Sequence, residues 1–356
     1  MGMPMIDIIF QSAAQEAFRR TQAKSVAVII KDAAAQAGGY VLKSKADIGA
    51  LGLDSVTNTK YLERAFDGYV NQPQKVLCYV LGTDAQDLSD ALAWLATQQF
   101  DYLAGPKDIT ADESAELKTW IDTQRGDYNA IYKAVLPNLA ADSEAIVNFV
   151  TDGIKYGSSE VDAEGYCSRI AGMLAGTPMT YSCTYATLPE VSDVTRMTPS
   201  EMDAAVDAGK FLLFYDGKNV KTGRAVNSLT TLGAKSAAYK KIKIVEALDM
   251  INSDLRRLCQ DYYVGKYPNS YDNKVLLMTA VKSYLTELET AGILQTGSQV
   301  GIDLNAQKEW LEENGYDTSD MTEEEMLHHD TGSSVFLAAT IRVLDAIEDI
   351  TITINI

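Results

Sequence analysis

The two ends of the chain carry hydrophobic and polar residues in strict alternation. Residues 350–356 run Ile-Thr-Ile-Thr-Ile-Asn-Ile, and residues 5–10 follow a similar pattern. Side chains alternate between the two faces of a β-strand, so each end predicts a strand with one hydrophobic face. Burying four isoleucines would contribute on the order of 6–12 kcal/mol as an upper bound, so something must cover them. The hydrophobic residues of these two predicted arms are Ile6, Ile8, Phe10, Ile350, Ile352, Ile354 and Ile356.

Two arrangements would cover these arms, and the pattern alone leaves both open. Both strands could complete a sheet within their own chain. Alternatively, they could add to the sheet of a neighbouring copy, with main-chain hydrogen bonds tying one copy to the next. A short helix over residues 12–20 is predicted to link the N-terminal arm, 1–20, to the body of the protein. Another short helix is expected just before Ile350.

Residues 21–82 predict a small β-rich domain. An uninterrupted hydrophobic run at 26–30 is typical of a buried strand, and Gly38-Gly39 is predicted to begin a hairpin-like return. Ser55 is placed to cap a helix. A second hydrophobic run at 76–81 predicts the last strand of this domain.

Helices and strands then alternate from residue 83 to residue 222, which predicts an α/β middle domain with a largely parallel sheet. Two helix starts have the spacing of a capping box, Thr110 with Glu113 and Thr198 with Glu201. The predicted strands of this region are 100–104, 130–136 and 211–215, the last followed by a hairpin turn at Asp216-Gly217.

Residues 223–340 predict a C-terminal α+β domain, followed by a C-terminal β-arm at 341–356. Alternation at 241–245 predicts a strand, and two long helices with hydrophobic stripes follow it. Asn305 and Thr322 are predicted to cap two shorter helices. The fold class predicted from the whole pattern is α/β, or α+β overall.

Composition narrows the class of protein. Hydrophobic residues make up 46% of the 356 residues and charged residues 22%, as in folded globular proteins. The net charge is -18 without a basic run, which argues against binding nucleic acid or an anionic membrane. Neither a secretory signal nor a transmembrane stretch is evident, so we expect synthesis in the bacterial cytoplasm and, for a product that works outside the cell, release by lysis and not by export.

Catalytic and metal-binding patterns find no support. The only histidines, His328 and His329, are adjacent near the end of an acidic helix. Gly172-x-x-x-Gly176 lacks the lysine of a phosphate-binding loop and instead predicts close helix packing. The four cysteines contain no C-x-x-C pair and are expected to be reduced core residues. We therefore expect no catalytic residue, cofactor or metal, and keep an α/β hydrolase-like enzyme and a non-polymerising binding module as alternatives.

Several segments in the second half of the chain resemble one protein family in their order and spacing. These segments are 175–178, 209–217, 223–229, 241–245 with 249–251, 263–266 with 269–273, Ile302-Asp303, Trp310-Leu311, 335–337 and 344–349. In them the chain resembles the contractile tail sheath proteins of phages, in the short form found in phage-like particles and R-type bacteriocins. The N-terminal arm and the strand at 26–32 fit as well, so the resemblance covers essentially the whole chain.

This resemblance implies a structural protein that stacks as hexameric rings in a helical polymer around a tail tube. It implies arms that pair with strands of neighbouring subunits, and a subtilisin-like middle domain without the residues for proteolysis. The expected partners are other copies of the chain, a tail tube protein, and baseplate and tail terminator proteins. A possible tube contact is expected at Lys308 and Glu309, and flexible joints are expected near residues 10–11 and 348–350.

Overall fold

The structure of the protein is a computed structural model that describes residues 24–355. Ile6, Ile8, Phe10, Ile356 and the helix predicted at 12–20 lie outside the described residues. Among the described residues, 24–246 and 346–355 form one compact unit, here called the sheet unit. Residues 247–345 form a second, here called the C-terminal unit.

The sheet unit is built around one seven-stranded sheet. The spatial order of its strands is β10-β6-β5-β4-β1-β3-β2, and every neighbouring pair is parallel except β2 with β3. This sheet joins strands from the segments 21–82 and 83–222. The strands of the unit, in chain order, are β1 (Val26–Lys31), β2 (Gly38–Leu42), β3 (Val76–Leu81), β4 (Tyr102–Ala104), β5 (Lys133–Pro137), β6 (Ile146–Phe149), β7 (Ile154–Tyr156), β8 (Ser159–Val161), β9 (Val191–Asp193), β10 (Lys210–Phe211), β11 (Leu213–Tyr215) and β12 (Val220–Thr222).

Helices cover both faces of this sheet, which explains why β1 is hydrophobic at each of its first five positions, 26–30. Val28 of β1 faces one hydrophobic core and Ile29 faces the other. Helices α1 and α4 pack in the first core, and α2 and α3 in the second. The helices of the unit are α1 (Val56–Ala65), α2 (Ser89–Leu95), α3 (Ala111–Gly126), α4 (Ala163–Ala175) and α5 (Pro199–Asp207).

The helix starts agree with the sequence. Ser55 accepts a hydrogen bond from the backbone of Asn58, as predicted for an N-cap. The capping boxes at Thr110 and Thr198 are both formed. Close packing predicted at Gly172 is also confirmed, because a Cβ there would lie 2.3 Å from the carbonyl oxygen of Ala65 in α1.

The C-terminal unit contains two long helices and a small two-stranded sheet. Tyr284 is buried on the second long helix, and its hydroxyl donates a 2.7 Å hydrogen bond to Asp254 on the first. Thr322 caps the last helix with Glu325 in the predicted capping box. The elements are α6 (Ile242–Tyr262), which begins in the sheet unit, α7 (Tyr271–Thr290), β13 (Gln299–Ile302), α8 (Leu304–Glu313), α9 (Glu323–His328) and β14 (Leu337–Thr340).

One predicted strand pairing is wrong, and one predicted strand is divided in two. Strand β2 does not return against β1; it pairs antiparallel with β3, and β1 lies on the other side of β3. Its half-exposed pattern suits the sheet edge, whereas β1 needs neighbours on both sides. The run at 211–215 is two strands, because β10 joins the large sheet while β11 pairs with β12 across the predicted hairpin.

Three helix assignments also differ from the prediction. Residues 241–245 begin α6 instead of forming a strand, because the same isoleucines and valine continue the helical spacing of the hydrophobic residues after them. Asp303, not Asn305, caps α8, since its carboxylate accepts the hydrogen bond from Ala306. Residues 344–349 form no helix before Ile350.

A buried ion cluster attaches the start of α6 to the amino-terminal ends of β1, β4 and β5 in the large sheet. The Glu246 carboxylate contacts the ammonium of Lys24 and lies 3.2 Å from Lys133 Nζ. The hydroxyl of Tyr102 donates to the same carboxylate at 2.5 Å. All of these side chains are buried, and the two lysines compensate the buried negative charge.

Candidate functional site

The C-terminal arm exposes its isoleucines to solvent in the single chain. Residues 350–355 form no strand, although their alternation predicts one. Ile350, Ile352 and Ile354 are 72%, 76% and 79% exposed. A lone strand leaves its backbone donors and acceptors without partners, so this segment needs another strand to become one.

The root of the same arm is held firmly by the sheet unit. The Glu348 side chain is only 6% exposed, and its Oε2 lies 2.9 Å from Lys241 Nζ and 3.4 Å from Arg224 Nη1. The hydroxyl of Thr184 donates to Oε1 at 2.6 Å, and that of Ser182 does so at 3.3 Å. We call these residues, Ser182, Thr184, Arg224, Lys241 and Glu348, the arm anchor.

The anchor is assembled from loops around β12. Arg224 lies two residues after the end of β12, and its Nη2 also lies 2.5 Å from the Asp349 carboxylate. This hydrogen bond lowers the pKa of the Asp349 carboxyl and raises the pKa of the Arg224 guanidinium. Thr184 Oγ1 accepts a 3.0 Å hydrogen bond from the backbone of Ala225, which fixes its direction.

These contacts correct the joint expected at 348–350. Glu348 and Asp349 are attached to the sheet unit, so the free segment begins at Ile350. The sequence gives no direct sign of the anchor, because Glu348 lies more than a hundred positions after the residues that it contacts. The only local signal was an acidic pair placed immediately before the alternating segment.

The two-stranded sheet of the C-terminal unit has edges that no third strand of the described chain covers. Strands β13 and β14 pair antiparallel from Gln299 with Thr340 to Ile302 with Leu337. The chain then runs beside residues 293–295, where Gln295 N donates to Arg342 O at 2.8 Å. Sheets of only two strands are marginal alone, and a third strand would extend this one.

The predicted tube-contact residues lie on the exposed side of α8. Lys308 Nζ is 3.8 Å from Glu312, and both side chains are about half exposed. Glu309 is exposed beside them. The buried residues of α8 are Gln307 and Leu311.

Each of the two histidines packs against a tyrosine ring. His328 packs against the ring of Tyr271 and His329 against that of Tyr316. A groove of about 650 Å³ in the sheet unit, lined by Lys60, Arg64, Lys107 and several acidic residues, has neither histidine nor cysteine in its lining. Within 24–355 no three His, Cys, Asp or Glu side chains group as metal ligands.

The cysteines behave largely as predicted. Cys78, Cys167 and Cys183 are buried in the sheet unit, Cys259 is half-buried, and none of the four forms a disulfide. Burial raises the pKa of the Cys183 thiol to about 12, so it is not a reactive thiolate. In the described part of the chain, no helix is long and apolar enough to cross a membrane.

Comparison with known proteins gives a consistent result over the whole chain. Residues 82–228 match the model of the phage tail sheath protein central domain, and residues 234–356 match that of the phage tail sheath C-terminal domain. The chain is 37% identical to the tail sheath protein of Clostridium phage phiCD119, over 99% of each chain.

Solved structures share its fold. A sheath tail protein from Listeria innocua aligns with a TM-score of 0.70 at 17% identity, over 85% of this chain and 94% of that one. The helical sheath of the anti-feeding prophage in its contracted state aligns with a TM-score of 0.70 at 15% identity, over 94% of this chain and 93% of that one. The mixed α/β fold predicted from the sequence is therefore confirmed.

Proposed function

Because the chain belongs to the phage tail sheath protein family, we propose that it polymerises as stacked hexameric rings around a tail tube. The polymer contracts and drives the tube through the envelope of a target cell. The protein is a structural subunit and not an enzyme. It needs no cofactor, and its partners are other copies of itself, the tube, the baseplate and a tail terminator.

The exposed isoleucines of the C-terminal arm are the observation that carries this proposal. Each isoleucine contributes about 1.5–3 kcal/mol when it is fully buried, and three of them are largely exposed in the described chain. The segment also has backbone groups that only another strand can pair. A neighbouring subunit supplies both the cover and the strand.

The neighbour's β13–β14 sheet is the surface that we propose receives the arm. Both strands are short. The backbone of an added strand would pair with the edge of this sheet, and its isoleucines would be buried on one face of the sheet. The N-terminal arm, with Ile6, Ile8 and Phe10, pairs in the same way with another neighbour. Each subunit is then tied to others through strands at both ends.

These tethers keep the subunits connected while the polymer contracts. The bodies of the subunits move as nearly rigid units, while the free segments of the arms change direction and keep neighbours connected. The extended sheath is kinetically trapped until the baseplate releases it, and larger contacts in the contracted state drive the change. The particle leaves the producing cell by lysis.

Replacing the isoleucines tests the arm. In I350T/I352T/I354T, each residue stays β-branched but loses its apolar face, so we expect tubes and rings to disappear from negative-stain images. Deletion of residues 350–356 should have the same effect. Both variants should keep the wild-type circular dichroism and melting temperature, because the replaced side chains are exposed in the single chain.

The matched control is T351S/T353S, which changes the opposite face of the same segment. This variant should assemble normally. Long, contractible tubes formed by the deletion variant would contradict the proposal. A soluble monomer without tubes in every condition, wild type included, would favour the binding module instead.

A further inference from the structure

The alternating arm cannot set its own register. Residues 350–354 repeat every two positions, so a slip of two residues along a partner strand places the same residue types in the same places. A slip of one residue puts threonine where isoleucine belongs. Some feature outside the repeat must therefore decide where the strand starts and which face it presents.

Glu348 lies at the position where such a feature would act. Its side chain is 6% exposed in the anchor, whereas Ile350, two residues later, is 72% exposed. In an extended chain, residues 348, 350, 352 and 354 share one face. Holding Glu348 against the body therefore fixes the direction in which all the isoleucines point.

The anchor geometry suits this task better than a single surface ion pair would. Both carboxylate oxygens of Glu348 are engaged, one by two cations and the other by two hydroxyls. The Arg224 guanidinium spans two consecutive arm residues, because it also contacts Asp349. A shift of the chain by one residue would break these contacts together.

We propose that Glu348 is a positioning residue that sets the register and the face of the arm strand in a second copy of the chain. This inference rests on the proposed function, since it requires the arm to pair with a neighbour. From Glu348 to Ile354 an extended chain spans about 20 Å, so the receiving strand lies within that distance of the anchor. The repeat supplies the adhesive face, and the anchor supplies the starting point.

Insertions after Asp349 test the inference through their parity. Inserting one threonine exchanges isoleucine and threonine at each of the five positions 350–354 counted from the anchor. Inserting Ile-Thr keeps the residue type at each of these positions and lengthens only the end. We expect the one-residue variant to lose pelletable polymer by about tenfold or more, and the two-residue variant to assemble like wild type.

Removing the anchor provides the second measurement. In E348A the register is no longer imposed, so the strand can slip. The one-residue insertion combined with E348A should then assemble better than the insertion alone. The conservative variant E348Q should behave between wild type and E348A, because it keeps the hydroxyl contacts and loses the ion pairs.

The outcomes separate this inference from the proposed function. Equal assembly of the two insertion variants, or loss of assembly in both, would overturn the role of Glu348. If deletion of 350–356 still blocks assembly in that case, the arm proposal stands. Normal assembly of the deletion variant would overturn the arm proposal itself.

Discussion

At the scale of single residues, several partners surround the buried charge of Glu246. Burial by itself would raise the pKa of Glu246, but Lys133, Lys24 and the hydroxyl of Tyr102 outweigh burial and lower it to about 2. Asp101 lies in the same cluster and behaves oppositely, because burial raises the pKa of its carboxyl. The stability of the fold therefore depends on pH through two carboxyl groups whose pKa values are shifted in opposite directions.

The Glu246 term can be isolated with E246Q. Its folded-state pKa lies below the ordinary 4.5, so the stability it contributes is present above about pH 4.5 and is lost as the pH falls toward 2. That contribution is on the order of 3 kcal/mol. We expect E246Q to be destabilised by a similar amount at pH 7, because two buried lysines lose their counterion.

Urea unfolding between pH 7 and pH 2 measures both effects. The stability of E246Q should fall less steeply than that of wild type between pH 5 and pH 2. The control E324Q removes an exposed carboxylate of α9 and should follow the wild-type curve. Parallel curves for E246Q and wild type would contradict this assignment.

At the scale of elements, the packing of α4 against α1 depends on a glycine. From Gly165 onward, every residue of α4 is buried, which is typical of a helix enclosed by the core. The backbones of the two helices approach so closely at Gly172 that a Cβ would overlap the carbonyl of Ala65. The clash is with backbone, which cannot rotate away.

We expect G172A to destabilise the protein by about 1–3 kcal/mol, although alanine favours helix formation over glycine. The matched control is G126A at the end of α3, where a Cβ would have no neighbour within 4 Å. G126A should be neutral or stabilising by up to about 1 kcal/mol. Denaturant unfolding of the two variants gives the comparison, and a G172A as stable as G126A would contradict the close approach.

At the scale of the whole molecule, the net charge of -18 means that copies of the chain repel each other at long range. In the polymer that we propose, short-range contacts such as the arms therefore hold the subunits together, and specific residues contact the tube. Lys308 and Glu309 are candidates, because both are exposed on α8, and the ion pair of Lys308 with Glu312 lies on the surface of the same helix.

K308A/E309A should weaken association with the tube protein of the same particle and leave tube-free polymerisation unchanged. Copelleting of the purified protein with preformed tubes measures the association with the tube, and negative-stain imaging measures tube-free polymerisation. The control K118A/D122A removes another exposed pair of charges, on α3. Unchanged binding to tubes would contradict a tube contact at Lys308 and Glu309.

The sequence by itself determined the local features of this protein. Capping boxes, the buried strands and the alternating arm are encoded within a few neighbouring residues, so spacing was enough to predict them. The alternation also predicted that the isoleucines need to be covered, but it left open whether their own chain or a neighbouring copy covers them. Family membership followed from the order of such segments.

Only the tertiary structure decided which residues far apart in the sequence contact each other. Glu348 is bound by Thr184, 164 positions earlier, and by Lys241, 107 positions earlier. The pairing of β2 with β3 and the helical start of α6 were likewise decided by burial against distant elements, which overrides a local pattern that fits two structures. Distant contacts depend on how layers pack, and no local spacing records that packing.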